Sequence, residues 1–359
     1  MPNITFPDGK TKSYDIGTTA RDILLEIGGR LKKEAFAAKL NGKAIDLDRT
    51  IQENGDIVFL TFNTDEGRDI FWHSSAHVMA HAIKELYPEA KFAFGPPVEN
   101  GFYYDVDLEE TLTPDDLDTI SDKMQEIVKR DEPFERRNLS REEALDLFKG
   151  LNETYKVEQI ERLDESPSVY EEGGFVDLCR GPHVPSSGYI RYFKLLSVAG
   201  AYWLGDEKNP MLQRVYGVSF PKKSMLEDYL NRLEEARRRD HRKLGKELDL
   251  FSINDQIGPG LVLWHPNGAF IRYKIEEFWR KRHLEAGYEF VISPHIARAD
   301  LWSTSGHLDF FGENMYSPMQ VDEQDYLVKP MNCPFHLLIY KSQMRSYRDL
   351  PIRWAELGT

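Results

Sequence analysis

The run WHSSAHVMAHAIKELY at 72–87, closed by Pro88, decides how this chain reads. Ala76, Met79, Ala80, Ile83 and Leu86 recur three and four residues apart, the period of one helix face. Proline cannot continue a helix, so the element is expected to span Trp72–Tyr87. By 100° steps, His73 and His77 fall at the edge of the apolar face, and His81 lies further toward the polar side. An edge position suits a cleft, so His73 and His77 are favoured over His81. The segment GPPVENGFYYD (95–105) follows, a turn-rich stretch entering a Phe/Tyr strand. Helix and strand together predict a mixed α+β domain.

A second piece, CRGPH at 179–183, supplies Cys179 and His183 near a turn. Cysteine and histidine titrate nearest neutral pH and bind borderline-soft metals. With His73 and His77 they make four donors of the kinds a tetrahedral metal site uses. The same set can move protons, or line a cleft as hydrogen-bonded polar residues; spacing alone leaves all three open. Asp177, two before Cys179, is suited to orient a histidine or a substrate amine. Lys156 and Tyr104 are further contact candidates that no spacing singles out.

The length of 359 residues suggests two to three domains. Net charge is −14, which argues against coating nucleic acid through overall charge but leaves room for a local basic patch. Two cysteines, Cys179 and Cys333, fit a reducing compartment, and a cytoplasmic location is expected. Neither a signal peptide nor a membrane span is read.

Residues 1–62 read as a small α+β module. A hairpin turns at Pro7-Asp8-Gly9, a helix Ala20–Ile27 stops at Gly28-Gly29, and further strands lie at 37–40 and 57–62. Asn63–Arg68 is polar and marks a boundary. Pro114 to Asp131 reads as a charged surface helix. Residues 222–250 read as one long helix whose Arg237–Lys243 run is the most basic stretch. That run is either a solvated face or a phosphate contact. Beyond 251 come a helix from about Gly268 to Ala286, a strand at 288–293 and another at 325–329. Cys333, flanked by Pro330 and Pro334, is expected on a rigid bend at that strand's end. The nearest partner donor in sequence is His336.

Taken together, these motifs resemble the threonyl-tRNA synthetases, a family of class II aminoacyl-tRNA synthetases, along the whole chain. Residues 1–62 resemble the β-grasp domain of TGS type. HSSAH (73–77), GPPVENGFYYD (95–105) and VDLCRGPH (176–183) resemble the editing domain shared with alanyl enzymes. GPGLVLWHPNGAFIRYKIEEFWR (258–280) and YEFVISPHI (288–296) resemble class II motif 1, and KPMNCPFH (329–336) the zinc-binding entry of the threonine pocket. The implied architecture is a TGS-type domain at 1–62, an editing domain at 63–224, a linker helix at 225–250 and the start of an antiparallel-sheet catalytic domain at 251–359.

The resemblance implies roles by position. His73, His77, Cys179 and His183 would line a site that hydrolyses seryl-tRNA, largely through ordered water, with Tyr104, Lys156 and Asp177 around it. Cys333 would be one of three protein ligands to a catalytic zinc, with Met331 beside the amino-acid pocket. Arg237, Arg238 and Arg239 would lie near the tRNA acceptor arm. Threonine, ATP with magnesium, tRNA specific for threonine and mischarged serine are the implied partners, in a homodimer. The family pattern continues past Thr359 through motif 2, the remaining zinc histidines and motif 3. The chain is therefore expected to be truncated within motif 2, to retain editing, and not to aminoacylate alone. The rival expectations are a non-enzymatic tRNA-binding module and a metal-dependent hydrolase of another ester.

Overall fold

The computed structural model describes Met1–Thr359, which divide into two compact units, Met1–Glu234 and Glu235–Thr359. The first unit begins with a five-stranded sheet in the order 11–13, 3–5, 55–61, 35–40, 43–46. One helix, Ala20–Ile27, packs against it over Ile4, Ile23, Ile51 and Ile57. Thr19 and Asp22 close a capping box at its start: the Thr19 hydroxyl takes the Asp22 N–H at 3.1 Å, and the Asp22 carboxylate takes the Thr19 N–H at 2.9 Å. The hairpin, the helix and the later strands lie where the sequence pattern puts them.

The central helix spans Asp65–Leu86, so it starts at Asp65 rather than Trp72. Thr64 caps it by accepting the Gly67 N–H at 3.2 Å, and Asp65 and Glu66 occupy the positive end of its dipole. The polarity of 63–68, read as a boundary, serves as N-cap chemistry for this helix. This helix and the Pro114–Arg130 helix pack on a second sheet, ordered 192–202, 211–220, 101–107, 91–92, with 97–98 beside 101–107. Phe71, Met79, Phe92, Phe102, Met124 and Val215 fill the space between. Pro114–Arg130 turns Leu117, Ile120, Met124 and Ile127 into that core and its charges outward.

The central helix is buried on nearly every side, so its polar residues are inside too. His81, expected toward the polar side, is 4% exposed, with Nδ1 2.6 Å from Glu172 and Nε2 3.2 Å from Glu85. A small antiparallel sheet of 135–138, 168–172 and 175–178 supplies Glu172. Along its last strand Phe175 and Asp177 are buried, while Val176 and Leu178 are less so, as period-two alternation requires.

In the Lys223–Glu247 segment, expected as one helix, two form: Lys223–Arg238 and His241–Glu247. Asp240 ends the run by capping the second, accepting the Arg242 N–H at 2.8 Å. The second unit adds a hairpin of Phe251–Ile253 with Val262–Trp264 and a helix Pro266–Glu285. A three-stranded sheet of 296–298, 324–328 and 319–321 follows, and Glu289–Phe290 runs parallel to Trp354–Ala355. Trp302, Leu327 and Phe335 form its small core. No helix is long and apolar enough to cross a membrane.

Gly67 joins the first sheet to the central helix at close range: a Cβ there would meet the Thr61 carbonyl oxygen at 1.9 Å. Gly67→Ala is expected to lower stability by about 1–3 kcal/mol through overpacking. Gly150→Ala, at a helical position with nothing within 4 Å, is expected to leave stability unchanged or raise it by up to about 1 kcal/mol. Urea unfolding midpoints of the two variants check this pair.

Candidate active site

A cleft of about 410 Å³ opens between the central helix, the loop at 94–97 and the loop at 178–182. The central helix places His73 and His77 one turn apart on its wall, with ring centroids 4.7 Å from each other. Strand 101–107 brings Tyr104, helix Thr154–Arg162 brings Lys156, and strand 175–178 brings Asp177. Cys179 follows at the end of that strand. His183 returns behind it, its ring stacked on His73 at 4.7 Å and on Phe134 at 4.7 Å. The seven residues expected in one site thus converge.

Partner chemistry dictates where the protons sit. The Nδ1 of His73 lies 3.2 Å from the Gly95 carbonyl, which can only accept, so Nδ1 carries hydrogen. The bare Nε2, 2.8 Å from Cys179 Sγ, then accepts the thiol hydrogen. Burial pushes that thiol far above its ordinary 9.0, partly opposed by the Gly181 N–H, so the hydrogen is present. In turn Sγ accepts the Gly181 N–H at 3.1 Å and lies 3.2 Å from His183 Nε2. The Ser74 hydroxyl gives its one hydrogen to the Ile70 carbonyl at 2.7 Å, so its oxygen accepts from His183 Nδ1–H at 3.0 Å and His183 Nε2 is the bare nitrogen. Ser74 Oγ accepts the Val184 N–H at 3.0 Å. The bare nitrogens of His73 and His183 thus both face the Cys179 thiol.

His77 stands outside this set of contacts, with Nε2 3.5 Å from Asp177. Burial, then the neighbouring His73 and Lys156, holds its pKa well below 6.5, and burial does the same to His183. Burial also lowers His73. All three rings are therefore neutral at pH 7. The one buried ion pair here joins Lys156 to Asp177, Nζ to Oδ1, at 2.5 Å. Lys156 also donates to the Tyr104 hydroxyl at 2.8 Å, and that hydroxyl donates to Asp177 Oδ2. Asp177 Oδ1 is buried and held by the ammonium, and Oδ2 by the Tyr104 hydroxyl.

Four potential ligand atoms, from His73, His77, Cys179 and His183, lie within 4.8 Å of one another. Neutral imidazoles and a thiolate are the donor types zinc takes. A metal would have to displace the thiol proton, which His73 Nε2 accepts. The set matches zinc by type, and three of its four members, His73, Cys179 and His183, already meet through hydrogen-bonding contacts. A second group, His81, Glu132 and Glu172, has both imidazole nitrogens engaged by carboxylates.

The remaining expected residues lie in or at the edge of the second unit. Cys333 is the first residue of a helix, Cys333–Lys341, and not a bend on a strand's end; Pro334 suits that first turn. Its Sγ is 3.6 Å from His307 Nε2, whereas His336 turns to Glu356 at 2.7 Å. Cys333 and His307 give two donors where a tetrahedral site uses three or four, so the residues present do not complete a zinc site there. Met331 is exposed. Arg238 and Arg239 both face Glu235, at 3.5 and 2.6 Å, and Arg237 has no acidic partner within 4.0 Å. Three participants escape sequence reading: Ser74, the Gly95 carbonyl, and Asp46, which contacts His183 across 137 residues. Only Ser74 carried a signal, as a hydroxyl on a helix turn between two chosen histidines.

A model described as "Threonyl and Alanyl tRNA synthetase second additional domain" matches residues 168–216, and a "TGS domain" model matches 2–61. The chain is 50% identical over 362 residues to a threonine–tRNA ligase of Magnetococcus marinus. It is 52% identical over 361 residues to that of Nitrosococcus oceani. Each match covers 100% of this chain and 56% of the relative, so the chain spans a little over half the length of these relatives. Among solved structures, the RNA-binding domain of a threonyl-tRNA synthetase from Cryptosporidium parvum is 42% identical, covering 33% of this chain and 30% of that one with a TM-score of 0.32.

Buried neutral groups make stability depend on pH. Unfolding lets His77 and His183 take up protons below their ordinary 6.5, and lets Cys179 lose one above 9.0. Stability is therefore full between those values, is lost as pH falls through 6.5, and is lost again as pH rises through 9.0. The acid limb is expected to steepen by about 1.4 kcal/mol per pH unit for each excluded proton. Urea unfolding of the parent beside His183→Gln, from pH 5 to 7, should show the shallower slope in the variant.

Proposed function

Because the chain corresponds along its whole length to the N-terminal portion of threonyl-tRNA synthetases, we propose that it belongs to a protein that charges tRNA with threonine. We propose further that the cleft around His77 hydrolyses seryl-tRNA. Threonine, ATP and tRNA are the substrates of the whole ligase in this reading, which acts as a cytoplasmic homodimer.

The observation that carries the editing assignment is the difference between the three imidazoles. His73 and His183 turn their bare nitrogens to the Cys179 thiol, while His77 does not, and it faces a carboxylate. Water bound at His77 can lose a proton to the neutral ring as it attacks the ester carbonyl. The nearby Asp177 carboxylate stabilises the imidazolium that results. The Asp177 carboxylate fixes the serine ammonium, and Lys156 stabilises charge on the departing ribose oxygen. That oxygen leaves with a proton, giving free serine and uncharged tRNA. No step needs Cys333 or a metal.

Size is the reason such a site is useful. A charging pocket distinguishes threonine from serine by one methyl, worth only about 1–3 kcal/mol. A second pocket that admits serine and is crowded by the extra methyl removes the error after transfer.

The parent chain is expected to clear seryl-tRNA and spare threonyl-tRNA, and His77→Ala to lose about 10²–10⁴-fold in rate. Exhaustive dialysis against a chelator is expected to leave the parent rate unchanged. A parent that binds tRNA but clears neither ester would leave only the binding-module reading. A rate lost to the chelator and restored by zinc would replace the water mechanism with metal catalysis at the same four residues.

A further inference from the structure

We infer that Asp46, at the end of the 43–46 strand of the N-terminal sheet, is a positioning residue for the hydrolytic cleft. The inference rests on the editing reading for its kinetic consequence, but its geometry stands independently. One carboxylate oxygen of Asp46 accepts the backbone N–H of His183 at 2.9 Å, and the other accepts the Tyr170 hydroxyl at 2.8 Å. Both partners are 1% exposed. The Tyr170 ring in turn lies against the His183 ring, centroids 4.5 Å apart. A Cβ on Gly181 would meet the Tyr170 hydroxyl at 1.9 Å, so Tyr170 also lies directly under the 179–183 loop.

A single side chain from the N-terminal sheet thus holds the backbone of His183 and the ring that supports it. His183 Nε2 faces Cys179 Sγ, and Cys179 donates to His73. Asp46 therefore acts on the cleft through this chain, without touching the place where an ester would sit. The two donors reach different oxygens of the carboxylate, so an amide, which keeps only one of those oxygens, preserves one of the two bonds as it stands. On its open side Asp46 faces a separate cavity of about 660 Å³, also lined by Lys43, Arg49, Arg136 and Arg180. The 178–182 segment is the wall between that cavity and the cleft.

The test uses the whole chain in a Cys333→Ser background, so that Cys179 is the sole thiol. Asp46→Ala and Asp46→Asn are compared with Asp48→Ala, a control that removes a neighbouring carboxylate bonded to Arg21. Asp46→Ala is expected to alkylate at Cys179 about tenfold faster than the parent, since the loop above it opens more often. It should also shift the imidazole NMR signal of His183. Its seryl-tRNA deacylation should fall about 10–100-fold in kcat with KM within about threefold, the mark of misplaced groups and not of lost binding. Asp46→Asn, which keeps one carbonyl for the His183 N–H, should fall between parent and Ala. If Asp46→Ala does not fold, the same readouts on Asp46→Asn decide. Alkylation and a His183 signal equal to the parent's overturn the inference, whatever the deacylation rate. A parent without deacylation overturns the editing reading instead, and alkylation with the His183 signal still judges Asp46.

Discussion

The structure of the first unit depends on one constraint: a helix buried on nearly every side that carries polar residues. From Ile70 to Ile83 every residue of the central helix but His73 is buried, yet Ser74, Ser75, His77 and His81 lie on it. A buried polar group without a partner costs free energy, so each must be met by something from another element. Ser75 pairs with Ser219, His81 with Glu172, and Ser74 with His183. These partners come from strands and loops far along the chain. Satisfying the helix therefore fixes where those strands and loops lie, and the cleft takes its shape from the result.

Burial also sets the electrical character of the site. With water excluded, the imidazoles stay neutral and the thiol stays protonated, because the charged forms lose hydration. Charge survives only where it is paired, in Lys156 and Asp177. The cleft consequently offers one neutral base and one oriented ion pair. That division suits a reaction in which water is activated at one point while an ammonium group is held at another. It also explains how four metal-type donors can sit together at rest: three of them, His73, Cys179 and His183, meet through hydrogen-bonding contacts.

Much of this was legible in the residues, and the exceptions have physical causes. The capping box at Thr19 and the small sheet around Ala20–Ile27 are local effects, so short-range pattern was enough. The start of the central helix was misread because Thr64, Asp65 and Glu66 look like linker composition, though the same polarity serves a helix N-terminus. Asp240 broke the expected long helix for a related reason, since a carboxylate that can cap competes with continuing the turn. Cys333 was placed on a bend by its flanking prolines, one of which instead opens a helix.

The sequence by itself determined the ingredients of the candidate site. Histidines four apart share a helix face whatever surrounds them, and Cys179 and His183 carry their chemistry wherever they fold. Helix geometry and side-chain chemistry are local, so one chain without a structure reveals them. Only the tertiary structure decided how those groups are used. Which lone pairs are free depends on Gly95, Ser74 and Gly181 standing at hydrogen-bond distance, and which protons remain depends on water being excluded. The reach of Asp46 to His183 belongs to the same class, because contact across 137 residues is a product of packing and leaves no mark in local spacing.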